Sequence, residues 1–304
     1  MKNGRKIPDA AGLGAMMGRG FTLVEMLVVI SILGLLAALA VPAIKNMGKA
    51  DAGLGASQQL LDDIGRARQL AMANDTTVYM VFVPTNFWAV STNVAGLGPQ
   101  LQFQTLNAVS NLMDKQMTGY TFMSYGRVGD QPGQHQWRYL EPWKNLPEGT
   151  FIAEQKFNQA PAIYSYSSTN ALVITNQITG RKFYVYGFAT NGGPTSPLPP
   201  IPFPLETTPT NVGPVSLPYI AFNYQGQLVQ WRYGVESLAA QDEIIPLSRG
   251  AVLPALANNA TRNYSFDSPQ VLESPPGNGT NAAFTLVDVD ALTGRATLQF
   301  EKVQ

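Results

Sequence analysis

Between Phe21 and Val41 the chain carries one charge, that of Glu25, in an otherwise apolar run. A helix over that run measures about 31 Å at ~1.5 Å per residue, close to the ~30 Å hydrocarbon thickness of a bilayer. The run is therefore long enough to span a membrane once. Glu25 is the exception that needs a cause. A carboxylate in the apolar part of a spanning helix costs on the order of 2.5–3.5 kcal/mol, so something must offset it. Ahead of the run, Lys2, Arg5, Lys6 and Arg19 stand against Asp9 alone. That excess of positive charge keeps the extreme N-terminus on the cytoplasmic side.

Two other segment types use part of these residues. A secretory signal peptide would cut after Ala38-Leu39-Ala40, but its apolar core is about 7–15 residues long, and it gives Glu25 no purpose. A plain single-pass anchor requires Glu25 to snorkel to the headgroups from near the helix start. The segment Arg19-Gly20-Phe21-Thr22-Leu23-Val24-Glu25 resembles the type III signal of type IV pilins and type II secretion pseudopilins. That resemblance implies cleavage between Gly20 and Phe21 by a prepilin peptidase/methyltransferase, N-methylation of Phe21, and a contact between Glu25 and the terminal amine of a neighbouring subunit. It also implies a single-pass protein of the bacterial inner membrane with its head in the periplasm. The implied partners are other pseudopilins, an inner-membrane assembly platform and the lipid bilayer.

The rest of the composition narrows the function. Only 13% of the 304 residues are charged and 22 are proline, a balance that suits a β-rich exported domain. The net charge is zero, and loss of the basic leader leaves about −3, so no nucleic-acid partner is advertised. The absence of cysteine excludes disulfides, thiolate metal sites and cysteine nucleophiles. A single histidine, His135, leaves no His-rich metal centre or ordinary His-based triad, and it is expected in a solvated loop. The chain has no phosphate-binding glycine loop, no His-Glu-x-x-His and no nucleophile elbow. It is expected not to be an enzyme and to need no cofactor.

After Pro42 the residues return to helix formers, so Pro42 predicts a kink at the membrane exit and not a stop. From Ser57 to Asn74, Leu60, Ile64, Ala67 and Ala71 recur at helical spacing with Leu61 beside them. Asp62, Asp63, Arg66, Arg68 and Gln69 fall on the other faces. Gly48, Gly53, Gly55 and Gly65 each weaken a helix by up to about 1 kcal/mol, which predicts unwinding near Gly48 to Gly55. The helix should end at Asn74-Asp75. A strand over Thr76–Val83 should then form a hairpin with Phe87–Val90.

Residues Ala95 to Trp143 are broken by glycine and proline and are expected to be an insertion on the sheet. Leu146–Ile152 predicts a turn entering a strand. Hairpins are predicted for Ala171–Thr175 with Lys182–Phe188, Tyr219–Tyr224 with Gln227–Tyr233, and Phe284–Asp290 with Ala296–Phe300. Gly192 to Pro218 holds nine prolines, too many missing donors for a strand, and predicts a polyproline-like surface excursion.

A second resemblance is carried by Leu61 to Asn74, with Ala67, Arg68 and Ala71 at its spacing, by Phe222 with Gly226, by Glu243 to Gly250, and by the turn Thr293-Gly294-Arg295. Together these are similar to the GspH/FimT minor pseudopilins, although this head is larger. The fold expected is α+β and pilin-like: a leader over 1–20, a transmembrane and assembly half-helix over 21–44, an amphipathic half over 45–75, and a β-rich head over 76–304. The function implied is that of a minor subunit in a type II secretion or type IV pilus-like filament.

Two other candidate sites remain. Asp288 and Asp290 alternate on one strand and could offer two carboxylates to Ca²⁺. Arg127, Trp137, Arg138, Tyr139, Trp143 and Lys144, with Trp231, Arg232 and Tyr233, mix basic and aromatic groups as single-strand binders do. Some FimT-like pilins take up DNA, so a DNA receptor is the alternative function, and a tethered adhesin or enzyme a further one.

Overall fold

The computed structural model describes residues 22–85, 112–126, 135–159, 171–176, 179–190, 217–232, 234–258, 263–264, 267–280 and 285–300, together with 129, 161, 198, 201 and 202. The chain divides after Gly48 into an N-terminal unit and a head. Helix α1 (Leu23–Asn74) is unbroken over 52 residues, so Pro42 does not stop it. The predicted unwinding near Gly48 to Gly55 does not occur. Immediately beyond those glycines Ala56, Ser57 and Leu60 are fully buried, and such packing outweighs a propensity penalty of about 1 kcal/mol per glycine. The helix ends where predicted. Asp75 adopts φ +48°, and the Thr76 amide donates to the Ala71 carbonyl at 3.2 Å, the six-to-one bond of a Schellman cap.

The head's first sheet holds β1 (Val78–Phe82), β2 (Gly119–Tyr125), β3 (Trp137–Tyr139), β4 (Lys144–Asn145), β8 (Ala189–Thr190), β9 (Pro218–Phe222), β10 (Leu228–Arg232) and β11 (Val235–Leu238). Its main path runs β11-β10-β9-β1-β2-β3. The second sheet holds β5 (Thr150–Ile152), β12 (Glu243–Leu253), β15 (Gln270–Glu273), β16 (Thr285–Val289) and β17 (Ala296–Phe300). Two ribbons complete the strands, β6 (Leu172–Thr175) with β7 (Lys182–Val185), and β13 (Leu256–Asn258) with β14 (Asn263–Tyr264). A one-turn helix, α2 (Gln155–Asn158), follows β5.

The expected α+β class holds among the described residues. Three of the four predicted hairpins form, as β6–β7, β9–β10 and β16–β17. Two expectations fail. Strand β1 pairs with β2 on one side and β9 on the other, so both its edges are taken and Phe87–Val90 is not its partner; those four residues lie outside the described ones. The presumed insertion before Trp143 supplies β2 and β3, which are part of the sheet itself. Its run Gly119-Tyr-Thr-Phe-Met-Ser-Tyr125 is β-branched and aromatic, a strand composition framed by glycines that suggested only loop.

Alternation across β1 explains two cores. Val78, Met80 and Phe82 face the first, which joins Ala56, Leu60, Ile64, Ala67 and Ala71 of α1 to Phe122 and Phe222 of the first sheet and Ile245, Val287 and Val289 of the second. Tyr79, Val81 and Val83 face the other, with Met123, Trp137, Tyr219, Leu198, Ile201 and Leu217. A strand buried on both faces reads as a continuous apolar run. The described part of the proline-rich stretch is thus packed against the sheet and not a surface excursion, and the Tyr139 hydroxyl donates to the Pro202 carbonyl at 2.6 Å.

The α1 stripe predicts a sharp contrast in stability. Ile64→Ala should cost about 2–5 kcal/mol, whereas Leu54→Ala, at a largely exposed position, should stay within about 0.5 kcal/mol of the parent. Urea denaturation of the full chain measures both.

Candidate functional site

The first turn of α1 is built by Thr22 and Glu25. The Thr22 amide and Oγ1 both donate to Glu25 Oε2 at 2.9 Å, and the Glu25 amide donates to Thr22 Oγ1 at 3.2 Å. This is a reciprocal capping box, with threonine at the cap and the acid three residues on, and the helix dipole favours a negative group there. Glu25 stands out in the sequence as a lone acid, and Thr22 is marked too, because Thr-x-x-Glu ahead of an apolar run is itself a helix-start signature. Gly20 and Phe21 lie outside the described residues.

Every side chain from Thr22 to Leu36 is exposed, and eleven of those from Leu23 on are large and apolar. They occupy all faces of the helix, so the segment is apolar all round, which is the pattern of a helix covered by lipid or by other helices. Ser31 hides its hydroxyl by donating to the Leu27 carbonyl at 2.8 Å. Among the described residues no helix is long and apolar enough to cross a membrane. The side chains described stop at Leu36 and resume at Gly53, whereas the run counted from sequence extends to Val41.

In the head, the end of α1 and the turns at Gly226 and Gly294 meet at Arg68. Its Nε donates to the Thr293 carbonyl at 2.7 Å and to the Gly226 carbonyl at 3.2 Å, so one guanidinium ties the end of α1 to the turns of both sheets. The turns need glycine. Gly294 sits at φ +62°, and a Cβ there would lie 2.0 Å from the Gly226 carbonyl oxygen. Ala67 and Ala71 are fully buried beside these contacts, and any longer side chain would push the helix off the sheet.

Asp63, expected on a polar face, is instead buried. The Tyr120 hydroxyl donates to it at 2.5 Å and the Lys144 ammonium at 2.7 Å, and Lys144 also bonds Glu141 at 2.7 Å. Arg66 completes the cluster by pairing with Glu141. Burial alone would raise the Glu141 pKa, but the hydrogen bonds from Lys144 and Arg66 outweigh it and hold the group below the ordinary glutamate value.

Of the basic and aromatic residues, Tyr139, Trp143 and Trp231 pack half-buried against the second core. Trp137 is buried edge-on against Tyr79, ring centres 5.2 Å apart, the Trp231 indole donates to the Tyr79 hydroxyl at 3.1 Å, and Lys144 is engaged as above. Arg127, Tyr233 and the Arg232 side chain lie outside the described residues. The two candidate calcium ligands are each engaged within the chain. Asp288 is buried in β16 with Arg181 at 3.6 Å, and burial followed by the nearby Asp242 pushes its pKa up. Asp290 lies beyond the strand end and caps its own turn, accepting from the Thr293 amide at 2.6 Å and hydroxyl at 2.8 Å. No group of three or more His, Cys, Asp or Glu placed to hold a metal occurs among the described residues. His135 is exposed as expected, its ring beside Tyr125.

Residues 16–41 match the family model of the prokaryotic N-terminal methylation motif. No curated protein and no solved structure matches the chain. The matched segment contains Gly20, Phe21, Thr22 and Glu25, and it supports a prepilin-type, type IV pilin-like protein with a membrane-anchored N-terminus.

Two outcomes test the head's geometry. Arg68→Met keeps the aliphatic stem but leaves two turn carbonyls without their charged donor; it should cost about 1.5–3 kcal/mol, read from denaturation midpoints. The depressed Glu141 pKa means the folded state binds its proton less readily than the unfolded one. The stability this adds is present above the ordinary glutamate pKa and is lost as pH falls through the lower folded-state value. Glu141→Gln should therefore flatten the acid limb of a stability profile and leave the neutral region's slope unchanged.

Proposed function

We propose that the chain is a minor subunit of a type II secretion pseudopilus or a related type IV pilus-like filament, processed after Gly20 and assembled through its N-terminal helix. The observation that carries this is the junction at Thr22–Glu25. A helix apolar on every face begins within two residues of the expected cleavage point, and its first turn presents one carboxylate, all inside the segment that matches the methylation motif. Packing among like helices would cover Leu23 to Leu36. Both Thr22 bonds fall on Oε2 of Glu25, so Oε1 is the oxygen to which a neighbour's N-methylated amine would donate.

A head of the GspH/FimT kind is supported by the meeting of its characteristic segments at Arg68. The work proposed is mechanical, with the inner membrane as anchor, the periplasm as the head's compartment, and no catalytic step. A DNA receptor needs aromatic faces open for stacking, and Trp137 is buried in the second core.

Mass spectrometry of the N-terminal peptide should find N-methylated Phe21 as the first residue; a chain beginning at Met1 or Val41 would refute the proposal. Glu25→Leu should insert normally and fail to enter filaments, and normal incorporation of that variant would remove Glu25 from the assembly step.

A further inference from the structure

Lys156 is buried to zero exposure in α2, away from every site considered so far. Its ammonium nitrogen donates to the Tyr186 carbonyl at 2.7 Å, contacts Glu243 Oε1, and lies 4.7 Å from the centre of the Phe188 ring. Phe157 closes on that ring at 5.4 Å. Glu243 is the first residue of β12, 87 positions along the chain. The pair forms part of the wall of a cavity of about 20 Å³, room for roughly one water.

A buried ion pair gains less from its attraction than it loses in hydration unless further bonds compensate. Burial pushes Lys156 down and Glu243 up, against the attraction between them, so both groups move towards their neutral forms. A neutral amine against a neutral carboxylic acid is a reactant pair for amide formation. Holding the two at contact supplies the high effective concentration that such a step needs. The Tyr186 carbonyl fixes one N–H and so directs the nitrogen.

We propose that Lys156 and Glu243 condense to an intramolecular amide cross-link. The lone pair of Nζ attacks Cδ of Glu243 and the C–N bond forms. A proton passes from nitrogen to the departing hydroxyl, the C–O bond breaks, and one water leaves into the adjoining cavity. Nothing is oxidised or reduced, and a buried ammonium paired with a partly exposed carboxylate is replaced by one amide over the Phe188 ring. The bond ties α2, and through it β5, to the start of β12, enclosing the whole run from β6 to β11. It therefore locks the start of β12 to the helix that follows its neighbour β5. A head carrying load would resist unravelling at that point, but the chemistry stands apart from the filament proposal and does not depend on it.

The test is tryptic peptide mapping of the purified full-length protein by mass spectrometry. The expected result is that cleavage after Lys156 is blocked and that peptide 145–181 is recovered joined to peptide 233–249, lighter than the pair by one water. In Lys156→Met the 233–249 peptide should run alone. Recovery of unlinked 145–156 and 157–181 from the parent protein overturns the proposal, and that result does not require the variant to fold.

Discussion

The second half of α1 has to satisfy two sheets at once, and the head depends on its doing so with small side chains. Ala56, Ala67 and Ala71 let the backbone come close, while Leu60 and Ile64 fill the space between Phe82, Phe122 and Phe222 on one side and Ile245, Val287 and Val289 on the other. Apolar burial at about 25 cal/mol per Å² is non-directional and would tolerate a slide along the helix axis. Arg68 removes that freedom, because its two acceptors are turn carbonyls from different sheets. Gln59 does the same one face round, donating to the Tyr120 hydroxyl and the Asn145 carbonyl. Packing supplies the energy, and these polar contacts supply the register.

How much of this was legible in the sequence follows from what each signal depends on. The α1 stripe was legible because its period is set by the helix alone. The β9–β10 and β16–β17 hairpins were legible because Gly226 and Gly294 mark turns by a backbone requirement, a positive φ, that needs no knowledge of the rest of the fold. Strand β2 was not legible: buried on both faces in the centre of a sheet, it has no alternation to display. Asp63 was misplaced for a similar reason. Its helical position looks solvent-facing, and only the arrival of Tyr120 and Lys144 from far along the chain makes burial of that carboxylate tolerable. Of the candidate site, Glu25 was legible as an anomaly and Thr22 as the opening of a Thr-x-x-Glu helix start, whereas the choice of Oε2 as the shared acceptor was not.

The second core changes what the head can offer to partners. In a sheet with one face against a helix, the other face is ordinarily available. Here Leu112, Met113, Leu198, Ile201 and Leu217 cover it, so that face belongs to the fold. Of the aromatic residues that suggested nucleic-acid stacking, Trp137 is buried in this core and Tyr139, Trp143 and Trp231 pack against it. Tyr79, Trp137 and Tyr219 meet edge to face at 5.2–5.3 Å, an arrangement worth about 0.5–1.5 kcal/mol per pair beyond their burial. The β6–β7 ribbon plays the same part on the second sheet, with Ile174 and Phe183 packed on Ile244 and Leu286.

The capping box also revises what Glu25 requires. Taken as a lone acid in lipid, it calls for a cation merely to be tolerated. A capping side chain is worth about 0.5–2 kcal/mol, and the helix dipole adds roughly 0.3–1 kcal/mol in the first turn. The insertion cost of on the order of 2.5–3.5 kcal/mol applies at the centre of a spanning helix, whereas Glu25 stands three residues from the helix cap. Together these gains, about 0.8–3 kcal/mol, offset part of the cost of the carboxylate before any partner arrives. In the proposed filament an incoming amine would then act as a determinant of register: it would be rewarded at one axial position only, the one that brings it to Glu25, while the surrounding leucines and valines would be indifferent to sliding. Specificity in such a packing comes from the one polar group that the apolar surface cannot imitate.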